Sequence, residues 1–374
     1  METTAPSPHD GEQARDYNRL QRQLSVSDAL LGVAMLALVL VTGWSAGFRS
    51  FTFRISGGSN YVLALFLYVL ILSLLAKLLS LPLDYYGFRL EHRYQLSNQK
   101  VGGWWVDQAK SYALGFGLST LMTQLLYLLI RKEPIYWWLW AWITFLALFV
   151  ALAQLAPVLL FPIFYRFRAL ENEELRDRLT RLSERAGAKV RGVYEWKLSE
   201  KSKKANAALM GLGQTRRIVL ADTLLANYTD DEIEAILAHE LGHHVHNHIL
   251  KSIGVQAVVS FAGFWVVKTM LRRPYPGWFN SQVDFANLPL LLLVVTVMSL
   301  LLLPVLNAYS RYNERQADVY AWKSIRSIQP FLTAMNKLAE QNLAERTPSR
   351  WVEILFHSHP SISKRIAAAE RWKP

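Results

Sequence analysis

Six apolar runs, each long enough to cross a bilayer, constrain this chain more than any other feature of it. They cover roughly Ala29 to Gly47, Tyr61 to Leu79, Ser111 to Ile130, Ile135 to Tyr165, Ile253 to Leu271 and Ala286 to Ala308, with few charges inside them apart from Lys77 and Lys268. A composition of 52% hydrophobic and only 19% charged residues belongs with membrane chains rather than with soluble domains. The first run follows a mixed-charge segment (Arg15, Asp16, Arg19, Arg22, Asp28) and has no small-residue cleavage site, so it reads as a retained anchor rather than a signal peptide.

Basic residues beside spans stay on the cytoplasmic side. Arg15, Arg19 and Arg22 precede the first span, Arg89, Arg93, Lys100 and Lys110 separate the second from the third, and Arg166 and Arg168 follow the fourth. In a six-span chain these segments share one face. The other loops carry less: Arg49 and Arg54, Arg131 and Lys132, Arg272 and Arg273. Both termini and the polar stretch from Arg166 to about Leu250 are therefore expected in the cytoplasm. The net charge of +12 is spread through juxtamembrane segments and reads as a topology signal, so no nucleic-acid partner is expected. With no cysteine in the chain, disulfides and thiolate chemistry are excluded, and any metal must be held by His and carboxylates.

The expected division is a polar N-terminal segment (1–28), four spans (29–165), a cytoplasmic metalloprotease segment (166–250), two further spans (251–308) and a C-terminal segment (309–374). The fold class is a predominantly α-helical multi-pass membrane protein with a small α+β domain. Leu175, Leu179 and Leu182 recur at helical spacing within 171–185, and Gly187 supplies a stop. Short β-favouring stretches at 193–198 and within 205–220 predict a small sheet. Thr229 followed by Glu232 is a capping box, opening a helix with an apolar stripe of Ile233, Ile236 and Leu237. Further helices are expected at 309–325, 330–342 and 362–372.

The capped helix carries His239-Glu240-Leu241-Gly242-His243. Histidines four apart share a helix face, with Cβ atoms about 5 to 6 Å from one another, which lets both converge on one ion. Glu240 is rotated by about 100° from His239. It borders a metal without ligating it and is placed to act as general base on water. A catalytic zinc takes a third protein ligand, and Glu314 in Asn313-Glu314-Arg315-Gln316-Ala317-Asp318 supplies one on the same predicted side. Asp318, one turn on, suits a hydrogen bond from the free ring nitrogen of a ligand His, against the plainer role of a solvent-facing helix residue. His244, His246 and His248 follow closely and are expected not to ligate, although His246 lies near the zinc face. Asp222 reads equally as a support for the site and as a structural carboxylate.

With these motifs in order, the chain beyond about residue 60 resembles the zinc-dependent CAAX prenyl endopeptidases and their bacterial integral-membrane relatives, of the gluzincin type. The resemblance extends to Ser202-Lys-Lys-Ala-Asn-Ala-Ala-Leu-Met-Gly211, to Arg217-Ile-Val-Leu-Ala-Asp-Thr-Leu-Leu225, to His248, and to Ser358-His359-Pro360 with Arg365. It implies one Zn2+ held by His239, His243 and Glu314, with Glu240 as base. It also implies Asn206 and Ala207 on an edge strand that takes an extended polypeptide substrate by backbone hydrogen bonds. His359 and Arg365 are implied as polar groups for the substrate carbonyl or the developing oxyanion. The eukaryotic members have seven spans, one more than this chain provides.

The function expected is an integral-membrane zinc metalloendopeptidase acting on membrane-associated or misfolded polypeptides. Its C-terminal Arg371-Trp372-Lys373-Pro374 is no dilysine retrieval signal, which favours a bacterial plasma membrane with the site facing the cytoplasm. The alternatives are a zinc transporter or sensor, disfavoured by the scarcity of intramembrane carboxylates and histidines, and a catalytically silent scaffold, disfavoured by an intact Glu240.

Overall fold

Helices account for each apolar run, and several extend well past it; the fourth is broken at Leu160. The computed structural model describes residues 8–211, 213–272 and 279–373; residues 1–7, 212, 273–278 (Arg273 among them) and Pro374 lie outside them. The chain opens with α1 (Pro8–Val41), so the polar N-terminal segment and the first span share one helix. At Gly43 the backbone takes φ +73°, a left-handed turn open to glycine, and α2 (Trp44–Ile55) starts in a new direction. The first span thus ends near Val41 rather than at Gly47.

α3 (Tyr61–Arg93) is capped by the Asn60 side chain, which accepts from Leu63 N at 3.0 Å. α4 (Val101–Lys132), α5 (Trp137–Leu159) and the single turn α6 (Phe161–Phe164) complete the N-terminal half. At 1.5 Å per residue α3 is about 50 Å long, more than a hydrocarbon core requires. Its last turns therefore carry Arg89 and Arg93 out of the membrane. Six helices are long and apolar enough to cross a bilayer among the described residues: Gly11–Val41, Tyr61–Arg93, Val101–Lys132, Trp137–Phe164, His248–Leu271 and Phe285–Ser324.

The polar domain follows: β1 (Phe167–Ala169), α7 (Glu173–Arg185), β2 (Val193–Trp196), β3 (Ala207–Met210), β4 (Arg217–Ala221), α8 (Asp222–Asn227) and α9 (Asp230–Val245). The chain then re-enters the membrane as α10 (His248–Leu271) and α11 (Leu288–Ser324), and closes with α12 (Gln329–Gln341), α13 (Arg350–Phe356) and α14 (Ile362–Arg371). The sheet order is β1-β2-β4-β3, with β2 and β4 parallel and both outer strands antiparallel. β3 is an edge strand.

Among the described residues three buried clusters hold the molecule, the smallest of them Tyr17, Leu90 and Leu96. In the polar domain Leu175, Leu179 and Leu182 of α7 pack with Ile218 and Leu220 of β4, Ile233 and Leu237 of α9 and Phe331 of α12, all buried. Among the spans, Phe285 gathers Phe53, Tyr61 and Tyr68 at ring distances of 5.3, 5.4 and 5.0 Å. Beside the third, Lys204 ties the polar domain to the first and second spans by reaching Glu91 of α3 and Tyr17 of α1, both at 3.0 Å.

The stretch 309–325, expected as a helix of its own, continues the sixth span without a break. A change from apolar to polar side chains alters what surrounds a helix but not its backbone hydrogen bonds. This continuity matters for the site, because one helix of 37 residues, with Pro304 inside it, runs from the apolar stretch to Glu314 and Asp318.

Candidate active site

The site begins with the start of α9. Thr229 Oγ1 accepts from Glu232 N at 3.3 Å, and the Glu232 carboxylate returns the bond to Thr229 N at 2.8 Å, so two of the four orphan amides are satisfied. Three turns later His239 and His243 project from one face. That face meets α11 at Gly242, where an added Cβ would lie 2.7 Å from Ala317 Cα. Only glycine allows the helices this approach, and it sets Glu314 and Asp318 beside the histidines.

His239 Nε2 lies 3.2 Å from Glu314 Oε2, His243 Nε2 lies 3.4 Å from Glu314 Oε1, and the two Nε2 atoms are 3.3 Å apart. One ligand atom from each of the three residues falls within 4.8 Å of the others. His239 and Glu314 are buried, whereas His243 is partly open. Behind His239, its Nδ1 donates to Asp318 Oδ1 at 2.9 Å. Asp318 in turn takes a two-pronged bond from Arg365, Nε to Oδ2 at 2.9 Å and Nη2 to Oδ1 at 2.6 Å. Burial favours the neutral His239 ring, but Asp318 and Glu314 outweigh it and push the ring up to about 9. A cation entering at Nε2 therefore competes with a proton.

His243 has its own support. His248 Nδ1 lies 3.0 Å from His243 Nδ1, and His248 Nε2 lies 3.0 Å from Gln316 Oε1. A carboxamide oxygen only accepts, so His248 carries its proton on Nε2 and presents Nδ1 as an acceptor. His243 then donates from Nδ1 and keeps Nε2 bare toward Glu314, a tautomer assigned from the network. His246 stacks on His248 at 5.5 Å, and His244 lines the cavity. Asp222 is not among the residues lining the cavity over the group: it accepts from Ser199 N at 2.9 Å and Oγ at 2.6 Å and so ties the segment at Ser199 to the start of α8.

A cavity of 570 Å3 opens over the His–His–Glu group and is lined by Glu240 and His359 as well. Among the described residues nothing bonds to the Glu240 carboxylate. His359 is exposed, with Nε2 3.2 Å from Glu314 Oε1 and Nδ1 2.9 Å from Ser358 Oγ. Arg365 does not line this cavity. Its guanidinium is bonded to Asp318 and stands 3.3 Å from His239 Nδ1.

Asn206 and Ala207 lie where β3 begins, and Leu209 with Gly211 at its far end borders the cavity. Ala221 N donates to the Asn206 carbonyl at 3.0 Å. Counting along the ladder, Ala207 and Leu209 then turn their backbone groups to the unpaired edge. Phe149 of α5 and Ile253 and Gln256 of α10 complete the wall. Nothing in the sequence marked these membrane residues, since each sits inside an apolar run of uniform character.

Peptidase family M48 matches residues 169–373, which contain every residue of this site except the walls from α5. The chain belongs to peptidase family M48. Residues 5–166 match the CAAX prenyl protease N-terminal region, described as five membrane helices; four of the six long apolar helices fall there, together with the short α2. An uncharacterized metalloprotease, YhfN of Bacillus subtilis, is 35% identical over 309 residues, 81% of this chain and 72% of that protein. CAAX prenyl protease 1 of Saccharomyces cerevisiae is 29% identical over 321 residues, covering 80% and 70%. The fold matches the crystal structure of S. mikatae Ste24p with a TM-score of 0.87 at 24% identity, over 98% of this chain and 92% of that one.

As an M48 member the protein is a multi-pass membrane metalloprotease with a polypeptide substrate and a metal cofactor. The residues present fit a metal. Glu314 Oε2 is buried without a hydrogen-bond partner although it faces His239 Nε2, an arrangement that is costly unless a cation completes it.

Proposed function

We propose that the protein is a zinc endopeptidase in which His239, His243 and Glu314 hold one Zn2+ and Glu240 is the general base. The observation that carries this reading is the convergence of three ligand atoms from two helices under one cavity that Glu240 also faces. Two imidazoles and one carboxylate, with an open side, are a donor set suited to catalytic zinc. When bound, the ion supplies Lewis acidity that polarises the scissile carbonyl and brings the ionisation of water toward neutral pH. Glu240 accepts the proton of the attacking water and returns it to the leaving amine.

Supporting roles follow from the contacts. Asp318 holds the tautomer of His239, and Arg365 is a positioning residue that holds Asp318. The Glu314 carboxylate 3.2 Å from His359 Nε2 can only accept and so favours the proton on that nitrogen, from which His359 donates to the carbonyl oxygen as charge develops. The substrate binds extended along the free edge of β3, on the backbone groups of Ala207 and Leu209, with Asn206 at the entry to that edge. Membrane-associated or misfolded polypeptides fit a site walled by three spans. Basic residues at the membrane edge favour a cytoplasmic site in a bacterial plasma membrane, because Arg89, Arg93, Lys100, Arg166 and Arg168 flank spans at the ends that meet the polar domain. Those residues mark topology, and nucleic acid is not a partner.

The test is Glu240→Gln in purified, metal-replete protein. The variant is expected to hold zinc one to one with cleavage of a denatured membrane polypeptide reduced by at least about 10²-fold. Cleavage at the wild-type rate with zinc in place would sink the assignment.

A further inference from the structure

A second cavity, of 610 Å3, lies on another face of α11 from the catalytic one. Six cations line it: Arg311, Arg315, Arg350, Lys364, Arg365 and Arg371. Against them stand two carboxylates, Asp318 and Glu353, both already engaged, the first by Arg365 and the second by Lys364. Arg311 donates to the backbone carbonyls of Glu353 and His357 at 2.9 and 2.6 Å. Arg315, Arg350 and Arg371 have no partner among the described residues. Three guanidinium groups from three helices, α11, α13 and α14, thus border one recess that holds a surplus of positive charge.

The level of the recess is set by α13. Asn307, at the end of the sixth apolar run, donates from Nδ2 to the Leu355 carbonyl at 2.8 Å, and Arg311 one turn later holds the same C-terminal end of the short helix through the Glu353 and His357 carbonyls. The helix is therefore pinned where α11 passes from apolar to charged residues. Trp351, 72% exposed, and Leu355 one turn on form an uncovered apolar surface. An aromatic and aliphatic face beside arginines at the end of a span is the pattern of an interfacial helix.

We propose that this cavity binds a phosphate group, that of an anionic phospholipid from the adjacent leaflet. Planar guanidinium forks match the oxygens of a phosphate, and several forks are satisfied at once by one such group. The lipid tails then lie along Trp351 and Leu355. A headgroup held here fixes the C-terminal segment to the bilayer surface at a wall that also contains Arg365 and Asp318, the support of His239.

The experiment compares retention of phosphatidylglycerol and phosphatidylcholine by the full-length, metal-loaded protein in detergent, read by native mass spectrometry. The cavity variant is Arg315→Gln, Arg350→Gln and Arg371→Gln together; all three side chains are exposed and unpartnered, so the fold is expected to survive, which thermal unfolding checks. A control variant, Arg181→Gln, Lys189→Gln and Arg326→Gln, removes the same charge from exposed positions outside the cavity. Wild type and control are expected to prefer phosphatidylglycerol, and the cavity variant to lose it roughly a hundredfold. Equal retention by the cavity variant and the control overturns the proposal. Loss of inorganic phosphate binding with phosphatidylglycerol retention unchanged overturns the lipid source. Binding of an acidic glutamate-rich peptide that the cavity variant abolishes, with neither phosphate probe affected, overturns the phosphate assignment.

Discussion

His239 and Asp318 are joined by a 2.9 Å bond from the ring Nδ1 to a carboxylate oxygen, and both are buried. Helix α9 supplies the histidine and α11 the aspartate, so this bond sets how the two site helices stand against each other. Arg365 prevents Asp318 from being a lone buried anion.

Replacing Asp318 by Asn keeps the shape and removes the charge that orients His239. Zinc affinity is expected to fall by about 10- to 100-fold, measured by competition with a chromophoric chelator. Asp318→Ala goes further, because it leaves the Arg365 guanidinium buried and unpaired, and a loss of about 3 to 5 kcal/mol of stability is expected. Thermal unfolding of both variants in detergent separates the two effects.

The pair His248 and Gln316 makes the corresponding prediction for His243. Gln316→Leu removes the acceptor at His248 Nε2, and His248→Phe removes the acceptor at His243 Nδ1. Each is expected to weaken zinc binding by about tenfold or more. The double variant is expected to be little worse than His248→Phe alone, since Gln316 acts through that ring. Additive losses in the same chelator titration would refute a shared path.

Much of this arrangement is readable from residue spacing. The spans follow from run length, the metal helix from two histidines four apart behind a capping box, and Glu314 with Asp318 from the same one-turn period. What spacing does not carry is which elements meet. Phe149 and Gln256 wall the cavity only because α10 packs against α9 and α5 against α10. Arg365 is some 47 residues from Asp318 in sequence, and its pairing arises from the fold of α14 onto α11. Three-residue β1 and seven-residue α13 were equally hidden, since elements this short are stabilised by their partners and not by local propensity.

Gly242 tests how closely the site helices must approach. With Ala317 Cα only 2.7 Å from the position of an added Cβ, Gly242→Ala is expected to spread α9 from α11 and to cost about 1 to 3 kcal/mol. It also pulls His239 and His243 away from Glu314, so zinc retention on dialysis is expected to drop with stability. Gly254→Ala, where nothing lies within 4 Å, is the control and is expected to change neither. Wild-type zinc retention in Gly242→Ala would show that the helices tolerate a wider spacing.

The start of α9 makes a prediction about pH. Burial raises the Glu232 carboxyl, but the Lys337 ammonium at 2.7 Å and the Thr229 amide prevail and hold it below its ordinary 4.5. A carboxyl depressed in the folded chain stabilises it above the unfolded value, and that contribution is lost as pH falls through the folded value. Glu232→Gln is therefore expected to cost about 1 kcal/mol at neutral pH. The gap should close in acid, where the wild-type side chain is protonated and donates or accepts much as an amide does. Unfolding midpoints of both proteins between pH 7 and about pH 3 give the comparison; curves that stay parallel throughout would place the capping role outside the ionised carboxylate.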